Sequence, residues 1–334
     1  MPSARCPLCG AAGEEAHAGL RDRLFGVPGE WDFKRCAGAR CGLLWLDAAP
    51  PPAELLGVYA DYHTHAAPPE RARRGRRAYE ALRRGYQGLC FGRPDATALE
   101  RALGALLFLH PGRRADADFD AMYLSARPGA RALDVGCGSG RVLRALAAMG
   151  WEARGVDFDP AAVAAARAQG LRADAGGLDQ QGFAPESFDA VTASHVLEHV
   201  EDPESFLRAC ARVLAPGGAL VVVTPNGRSL GHRAFGGAWR GLEPPRHRHV
   251  FTRAALLRLA QRAGLPRPEV RVTIRNARGI HSASRALRAA ERSGAPRAAA
   301  TAPGLRSELW QLGAWLLSLL APELGEELVL LARR

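Results

Sequence analysis

The sequence predicts an α/β fold built around a largely parallel sheet, and three observations carry the prediction. Short apolar runs alternate with helical stretches from residue 131 onward, the first run passes through Asp134 into a glycine-dense turn, and a second acid, Asp157, closes the next run. Residues 131 to 140 read Arg-Ala-Leu-Asp-Val-Gly-Cys-Gly-Ser-Gly. Gly136, Gly138 and Gly140 remove side chains where backbone must turn sharply toward a ligand, and the helix expected from Arg141 aims unpaired N–H groups at an anion. The second strand ends at Asp157 in Ala-Arg-Gly-Val-Asp, and the third carries Asp174 in Leu-Arg-Ala-Asp-Ala. A fourth spans Phe188 to Ala193 and runs into Ser194-His195-Val196-Leu197-Glu198-His199. A turn over Val213 to Gly218 delivers a fifth strand, Ala219 to Thr224, and a last strand is expected at Glu327 to Leu331.

The glycine spacing is Gly-x-Gly-x-Gly, and Arg141 stands where the dinucleotide pattern Gly-x-Gly-x-x-Gly has its third glycine. That departure favours S-adenosylmethionine over a nicotinamide or flavin dinucleotide. Its anion is a single carboxylate instead of a pyrophosphate, and Asp134 suits its ammonium and sulfonium end. With the motifs in this order, residues 125 to 275 resemble the class I S-adenosylmethionine-dependent methyltransferases. The resemblance implies a three-layer, Rossmann-like domain with a mixed seven-stranded sheet over 128–334. It also implies cofactor contacts from Asp134, Gly136, Cys137, Gly138, Gly140, Asp157, Phe158, Asp174 and Ser194. Of these, Asp157 would accept the ribose hydroxyls and Asp174 would meet the adenine amino group.

Methyl transfer is an in-line displacement on an activated carbon, so a base is needed only where the acceptor must lose a proton. His195 is the first candidate, since it follows the fourth strand and an ordinary imidazole titrates near pH 6.5. His247 is the second. It lies in Pro244-Pro245-Arg246-His247-Arg248-His249-Val250-Phe251-Thr252, a segment expected over the acceptor, where Arg246 and His247 could hold an anion or a hydroxyl. The competing reading has His247 and His249 bracing the next helix, Arg253 to Ala263, with Thr252 as its N-cap. His195 to His199 also spells the inverted zinc-peptidase pattern His-x-x-Glu-His, which the surrounding series of methyltransferase motifs disfavours.

Cys6-Pro7-Leu8-Cys9-Gly10 and, 26 residues later, Cys36 to Gly42 form two paired knuckles. Cys6, Cys9, Cys36 and Cys41 are candidate ligands of a structural zinc, because four thiolates close a tetrahedral site and a segment this short needs the metal to be stable. A similar zinc-ribbon-like segment precedes many bacterial methyltransferases of this class. The expected organisation is therefore a ribbon over 1–49, a linker and helical cap over 50–127, and the catalytic domain over 128–334.

At 334 residues and 47% hydrophobic, the chain has room for that domain plus a smaller one. Met1 to Gly10 lacks the pattern of a secretory leader, and no run of about 20 apolar residues offers a membrane span, so a cytoplasmic protein is expected. Seven cysteines in such a compartment argue against a disulfide framework. The net charge of +11 is carried almost wholly by arginine, with a dense stretch at Arg71, Arg73, Arg74, Arg76, Arg77, Arg83 and Arg84. It reads as a solvated helix face, with nucleic acid, a nucleotide-linked substrate or an anionic membrane as sharper alternatives. Leu99, Leu103, Leu106 and Leu107 suggest a helix in the cap, residues 283 to 304 a mobile loop, and Leu309 to Leu320 a buried helix whose sharper alternative is a membrane-surface or dimer contact. Relatives with this front end suggest a saccharide or cell-envelope acceptor. RNA or protein methylation, and a non-catalytic cofactor-binding scaffold, are the alternatives.

Overall fold

The computed structural model describes residues 4–50, 73–299 and 301–334. From the N-terminus run β1 (Gly13–Leu20), β2 (Trp31–Cys36) and β3 (Leu44–Leu46), then α1 (Arg73–Phe91), α2 (Ala98–Gly104) and α3 (Pro111–Asp120). Next come β4 (Arg131–Val135), α4 (Arg141–Ala148), β5 (Glu152–Asp157), α5 (Pro160–Arg167), β6 (Arg172–Ala175) and β7 (Phe188–Ser194). The chain continues through α6 (Pro203–Val213), β8 (Leu214–Pro225), α7 (Leu230–Phe235), β9 (His249–Val250), α8 (Arg253–Arg262) and β10 (Glu269–Thr273). It ends with α9 (Ala277–Ser293), α10 (Leu305–Leu320) and β11 (Glu327–Arg333). Seven strands form the main sheet in the order β10-β11-β8-β7-β4-β5-β6, the mixed seven-stranded, Rossmann-like arrangement expected. The contacts divide the chain into two units, Met1–Tyr62 with His195–Leu207 and Val222–Leu331, and His63–Ser194 with Arg208–Val221 and Ala332–Arg334.

In the second unit β4 pairs in parallel with β5 and with β7, and β5 with β6. Ala132, Leu133, Ala190 and Val191 are wholly buried, as a strand covered on both faces requires. Gly155 on β5 leaves room for Cys137, whose Sγ would sit 2.6 Å from a Cβ added there. The helices α1 and α2 cross at glycines: a Cβ on Gly85 would lie 1.7 Å from the Glu100 carbonyl oxygen, and one on Gly104 would lie 2.1 Å from the Tyr86 nitrogen. A capping box between Thr97 and Glu100 starts α2. The apolar spacing expected to face a core does so only at Leu107; Leu99, Leu103 and Leu106 are exposed. Of the arginine stretch, Arg71 lies outside the described residues, Arg77 is exposed, and Arg83 and Arg84 pair with Asp120 and Glu100.

The first unit holds a four-stranded antiparallel sheet in the order β1-β2-β3-β9. Its fourth strand comes from far along the chain: Trp45 pairs with His249 and Leu44 with Val250. Phe33, Leu44, Leu46, Trp239, Leu242 and Val250 form its core. β10 and β11 pair antiparallel, Glu269 opposite Leu331. Two expectations fail here. The segment expected as a loop from residue 283 continues as helix to Ser293, because alanine and arginine are strong helix formers. The helix expected to be buried, α10, turns leucines outward. No helix among the described residues is long and apolar enough to cross a membrane.

Candidate functional site

The turn from β4 into α4 is built by backbone. Gly136 and Cys137 both donate to the Val156 carbonyl, at 2.8 and 3.1 Å, and Gly138 N donates to Asp157 Oδ2 at 2.8 Å. Gly140, at φ +88°, holds a left-handed conformation that strains any residue with a side chain, and a Cβ there would lie 2.2 Å from Leu171 Cδ1, which would have to shift. It begins α4 with no side chain capping the helix, which leaves the N-terminal N–H groups for an anion. The Cys137 side chain packs into the core with Leu143, Val163 and Ala166, so only its backbone is placed for a ligand. Phe158, half exposed, follows β5, and Ser194 ends β7 half-buried. Asp174 accepts from Arg154 Nε at 2.7 Å and from Arg167 Nη2 at 3.4 Å, so both of its oxygens already meet guanidinium groups.

Asp134 is 2% exposed; its Oδ1 accepts from Thr192 Oγ1 at 2.7 Å, while its buried Oδ2 has no partner among the described residues. Burial pushes its carboxyl up to about 7, against the Thr192 hydrogen bond and with the help of the Asp157 charge. An orphaned buried carboxylate oxygen beside an open helix N-terminus fits a zwitterionic ligand whose ammonium is close to its carboxylate. Those are the polar ends of the methionine part of S-adenosylmethionine.

His195 follows directly on β7 and takes φ +56°, a costly conformation for a residue with a Cβ. Its backbone N–H donates to Val223 O at 2.8 Å. Its Nδ1 lies 3.1 Å from Glu198 Oε1 and its Nε2 3.2 Å from Glu327 Oε1. Thr224 Oγ1 donates to Glu198 Oε2 at 2.9 Å, and Arg275 Nη1 donates to both Glu327 oxygens, at 2.6 and 2.8 Å. Burial acts to lower the imidazole pKa, but the two carboxylates outweigh it and raise it to about 9. His195 is therefore an imidazolium at neutral pH, where the sequence suggested an ordinary imidazole. No local motif marks Glu327 and Arg275, which lie 132 and 80 residues beyond His195.

His247 is buried. Its Nδ1 donates to Gly241 O at 2.8 Å, its ring stands edge-on to His199 at 4.7 Å, and burial pushes its pKa down to about 4 despite the pull of Glu243. Arg246, 0% exposed, holds Asp22 at 2.9 and 3.1 Å and Glu243 at 2.8 Å, with its guanidinium 4.1 Å from the Phe25 ring centroid. These partners occupy the group expected to meet an anionic substrate. Thr252 caps α8 by accepting from Ala255 N at 3.1 Å, as the bracing alternative requires. The His-x-x-Glu-His reading fails on geometry: His195 binds Glu198 and Glu327, while the grouped metal-capable atoms belong to Glu198, His199 and His247.

Cys6, Cys9, Cys36 and Cys41 converge, with all four Sγ atoms within 4.8 Å of one another, and none is in a disulfide. The pairs Cys6–Cys41 and Cys9–Cys36 stand 3.8 and 3.3 Å apart, near the edge of about 3.8 Å that Zn–S bonds of about 2.3 Å give a tetrahedron. Gly38 N donates to Cys36 Sγ at 3.3 Å, and Thr252 Oγ1 donates to Cys41 O at 2.5 Å. The four thiols can hold a metal ion, with no coordination position left for water or substrate.

Residues 110–266 match the family profile described as a methyltransferase domain. A ubiquinone biosynthesis O-methyltransferase of Xanthomonas oryzae pv. oryzae is 44% identical over 114 residues, covering 31% of this chain and 48% of that one. The protein of the same name from Xanthomonas campestris pv. campestris is 42% identical over 114 residues, with the same 31% and 48% covered. The chain thus spans about half the length of the curated relatives it matches. Among solved structures, an S-adenosylmethionine-dependent methyltransferase from Mesorhizobium loti is 20% identical, with a TM-score of 0.46 over 66% of this chain and 98% of that chain. Over residues 110–266, just under half of its length, the chain is similar to methyltransferase domains.

Proposed function

We propose that the chain transfers a methyl group from S-adenosylmethionine to the hydroxyl oxygen of a small phenolic acceptor, and that the four cysteines hold a structural zinc. The observation that carries the cofactor reading is the buried, unpartnered Oδ2 of Asp134 beside the uncapped start of α4. In that reading Asp134 receives the ammonium, the N–H groups around Gly138 and Gly140 the carboxylate, Asp157 the ribose hydroxyls, and Phe158 lies against the adenine. When bound, S-adenosylmethionine supplies a methyl group already activated on a sulfonium.

His195 is the residue that supports this acceptor class. A base works best on a proton of matched affinity, and an imidazole held at about 9 lies close to a phenol at about 10 and far from an alcohol of a sugar. The curated relatives are named as O-methyltransferases of ubiquinone biosynthesis, which fits methylation at oxygen and gives no support to the saccharide expectation. In this reading the neutral ring exchanges its Nε2 contact with Glu327 for the acceptor hydroxyl and takes the phenolic proton at Nε2, while Glu198, held by Thr224, stays on Nδ1 and stabilises the imidazolium that forms, and Arg275 keeps Glu327 paired. The side chain is 36% exposed, and with both ring nitrogens on carboxylates an acceptor reaches Nε2 by displacing Glu327. His247, buried and neutral, braces the segment instead.

The test is incubation of the purified chain with radiolabelled S-adenosylmethionine and, separately, a catechol, a free saccharide and RNA. Label in the catechol supports the reading. Label only in the saccharide or in RNA overturns the acceptor class, and cofactor binding with no transfer to any acceptor returns the scaffold alternative.

A further inference from the structure

The helix α10 is inverted. Its inward face carries Ser307, Gln311 and Ala314, all buried. Gln311 Nε2 donates to Ile274 O at 2.8 Å, Ser307 Oγ meets His281 Nδ1 at 3.0 Å, and Trp310 stacks on His281 with centroids 4.8 Å apart. These contacts fix which way the helix faces. Outward point Leu305, Leu309, Leu312, Leu316, Leu319 and Leu320, spaced three or four residues apart except at the end, so they form one stripe about 24 Å long. Leu309 is 59% exposed, Leu316 50% and Leu320 87%. A helix that buries glutamine and serine while exposing leucine reverses the arrangement that water selects, and a stripe of this length marks a contact surface.

Charge chooses the partner. Residues 277 to 320 hold six arginines (278, 285, 288, 292, 297 and 306) and two glutamates (291 and 308), a net of +4. Arg285, Arg292 and Arg306 are exposed and make no ion pair among the described residues. Two such surfaces from two copies would repel each other, whereas a surface that offers both hydrocarbon and negative headgroups satisfies leucines and arginines together. With 16 residues α10 is too short to cross a bilayer and fits an orientation lying along one. We propose that the outward leucine stripe of α10, with Arg285 and Arg292 of α9 and Arg306, docks the protein on an anionic phospholipid surface.

The test is flotation of the full chain with vesicles made of two parts phosphatidylcholine to one part phosphatidylglycerol, against phosphatidylcholine alone. No methyl donor is present, so the outcome is independent of the proposed transfer. The wild type should float with the anionic vesicles and much less with the neutral ones, and added salt should weaken the association. The double variant Leu309→Glu with Leu316→Glu, checked for unchanged circular dichroism and melting, should lose at least about tenfold in vesicle affinity. Arg285→Gln and Arg292→Gln should each lose up to about fivefold and reduce the salt dependence. A wild type that fails to float with anionic vesicles overturns the proposal, as does a leucine variant that floats as well as the wild type. Light scattering that shows a wild-type dimer, dissociated by the leucine substitutions, would assign the stripe to a second copy instead and also overturn it.

Discussion

Replacing Glu198 by Gln tests what the clamp does to His195. Glutamine keeps the size of the wholly buried side chain and can still accept from Thr224, but it removes the negative charge 3.1 Å from the imidazole Nδ1. In the wild type, a pKa of about 9 leaves only about 3% of His195 neutral at pH 7.5, whereas an unperturbed value near 6.5 would leave about nine-tenths neutral. Transfer to a phenol should therefore rise with pH to about 9 in the wild type, and the midpoint should fall in Glu198→Gln. Nitrogen-15 chemical shifts of labelled histidine report the His195 titration itself and need no acceptor. The same shift affects stability: the folded value exceeds the unfolded one, so the contribution is fully present below about pH 6.5 and is lost as pH rises through about 9. With the side chain 36% exposed, solvent screening reduces this contribution to roughly 1–2 kcal/mol. A wild-type His195 midpoint near 6.5, or one unmoved by Glu198→Gln, would refute the clamp.

Further predictions come from other parts of the molecule. Gly140→Ala should weaken cofactor binding and lower the melting temperature, because the added Cβ meets Leu171 at 2.2 Å and φ is +88°; binding calorimetry and a thermal melt together read both effects. Arg246→Met strands the buried carboxylates of Asp22 and Glu243 and should cost about 3–5 kcal/mol in urea unfolding; a loss under about 1 kcal/mol would show that the ion group is dispensable. Purified protein expressed with zinc should carry about one zinc per chain, and Cys9→Ser should lose most of it; less than half a zinc in the wild type would remove the site. S-adenosylmethionine should bind more weakly as pH falls through about 7, where Asp134 takes up a proton, and calorimetry in buffers of different ionisation enthalpy should detect proton release on binding near that pH.

The parts legible in the sequence were those whose chemistry is local. The glycine turn, Asp134, Asp157 and the four cysteines each sit in a short motif, and the structure brings the four sulfurs together and the glycines into one turn. What escaped was assembled across long separations. Glu327 and Arg275 reach His195 from β11 and from the end of β10, and β9 adds to the N-terminal sheet by pairing His249 with Trp45. Burial also reassigned roles. Arg246 looked like an anion receptor but is taken by Asp22 and Glu243, and the leucines of α10 looked like core but face outward because Gln311 and Ser307 anchor the other side. Apolar periodicity locates a helical face; the partners of the opposite face decide whether that face is covered.

The cofactor reading of Asp134 and Asp157 is tested most directly by titrating the full chain with S-adenosylhomocysteine in a calorimeter, alongside Asp157→Ala. Saturable binding by the wild type, weakened at least about tenfold by the substitution, is the expected result. Binding unaffected by the loss of Asp157, or tight binding of NADH with no heat from S-adenosylhomocysteine, would contradict it.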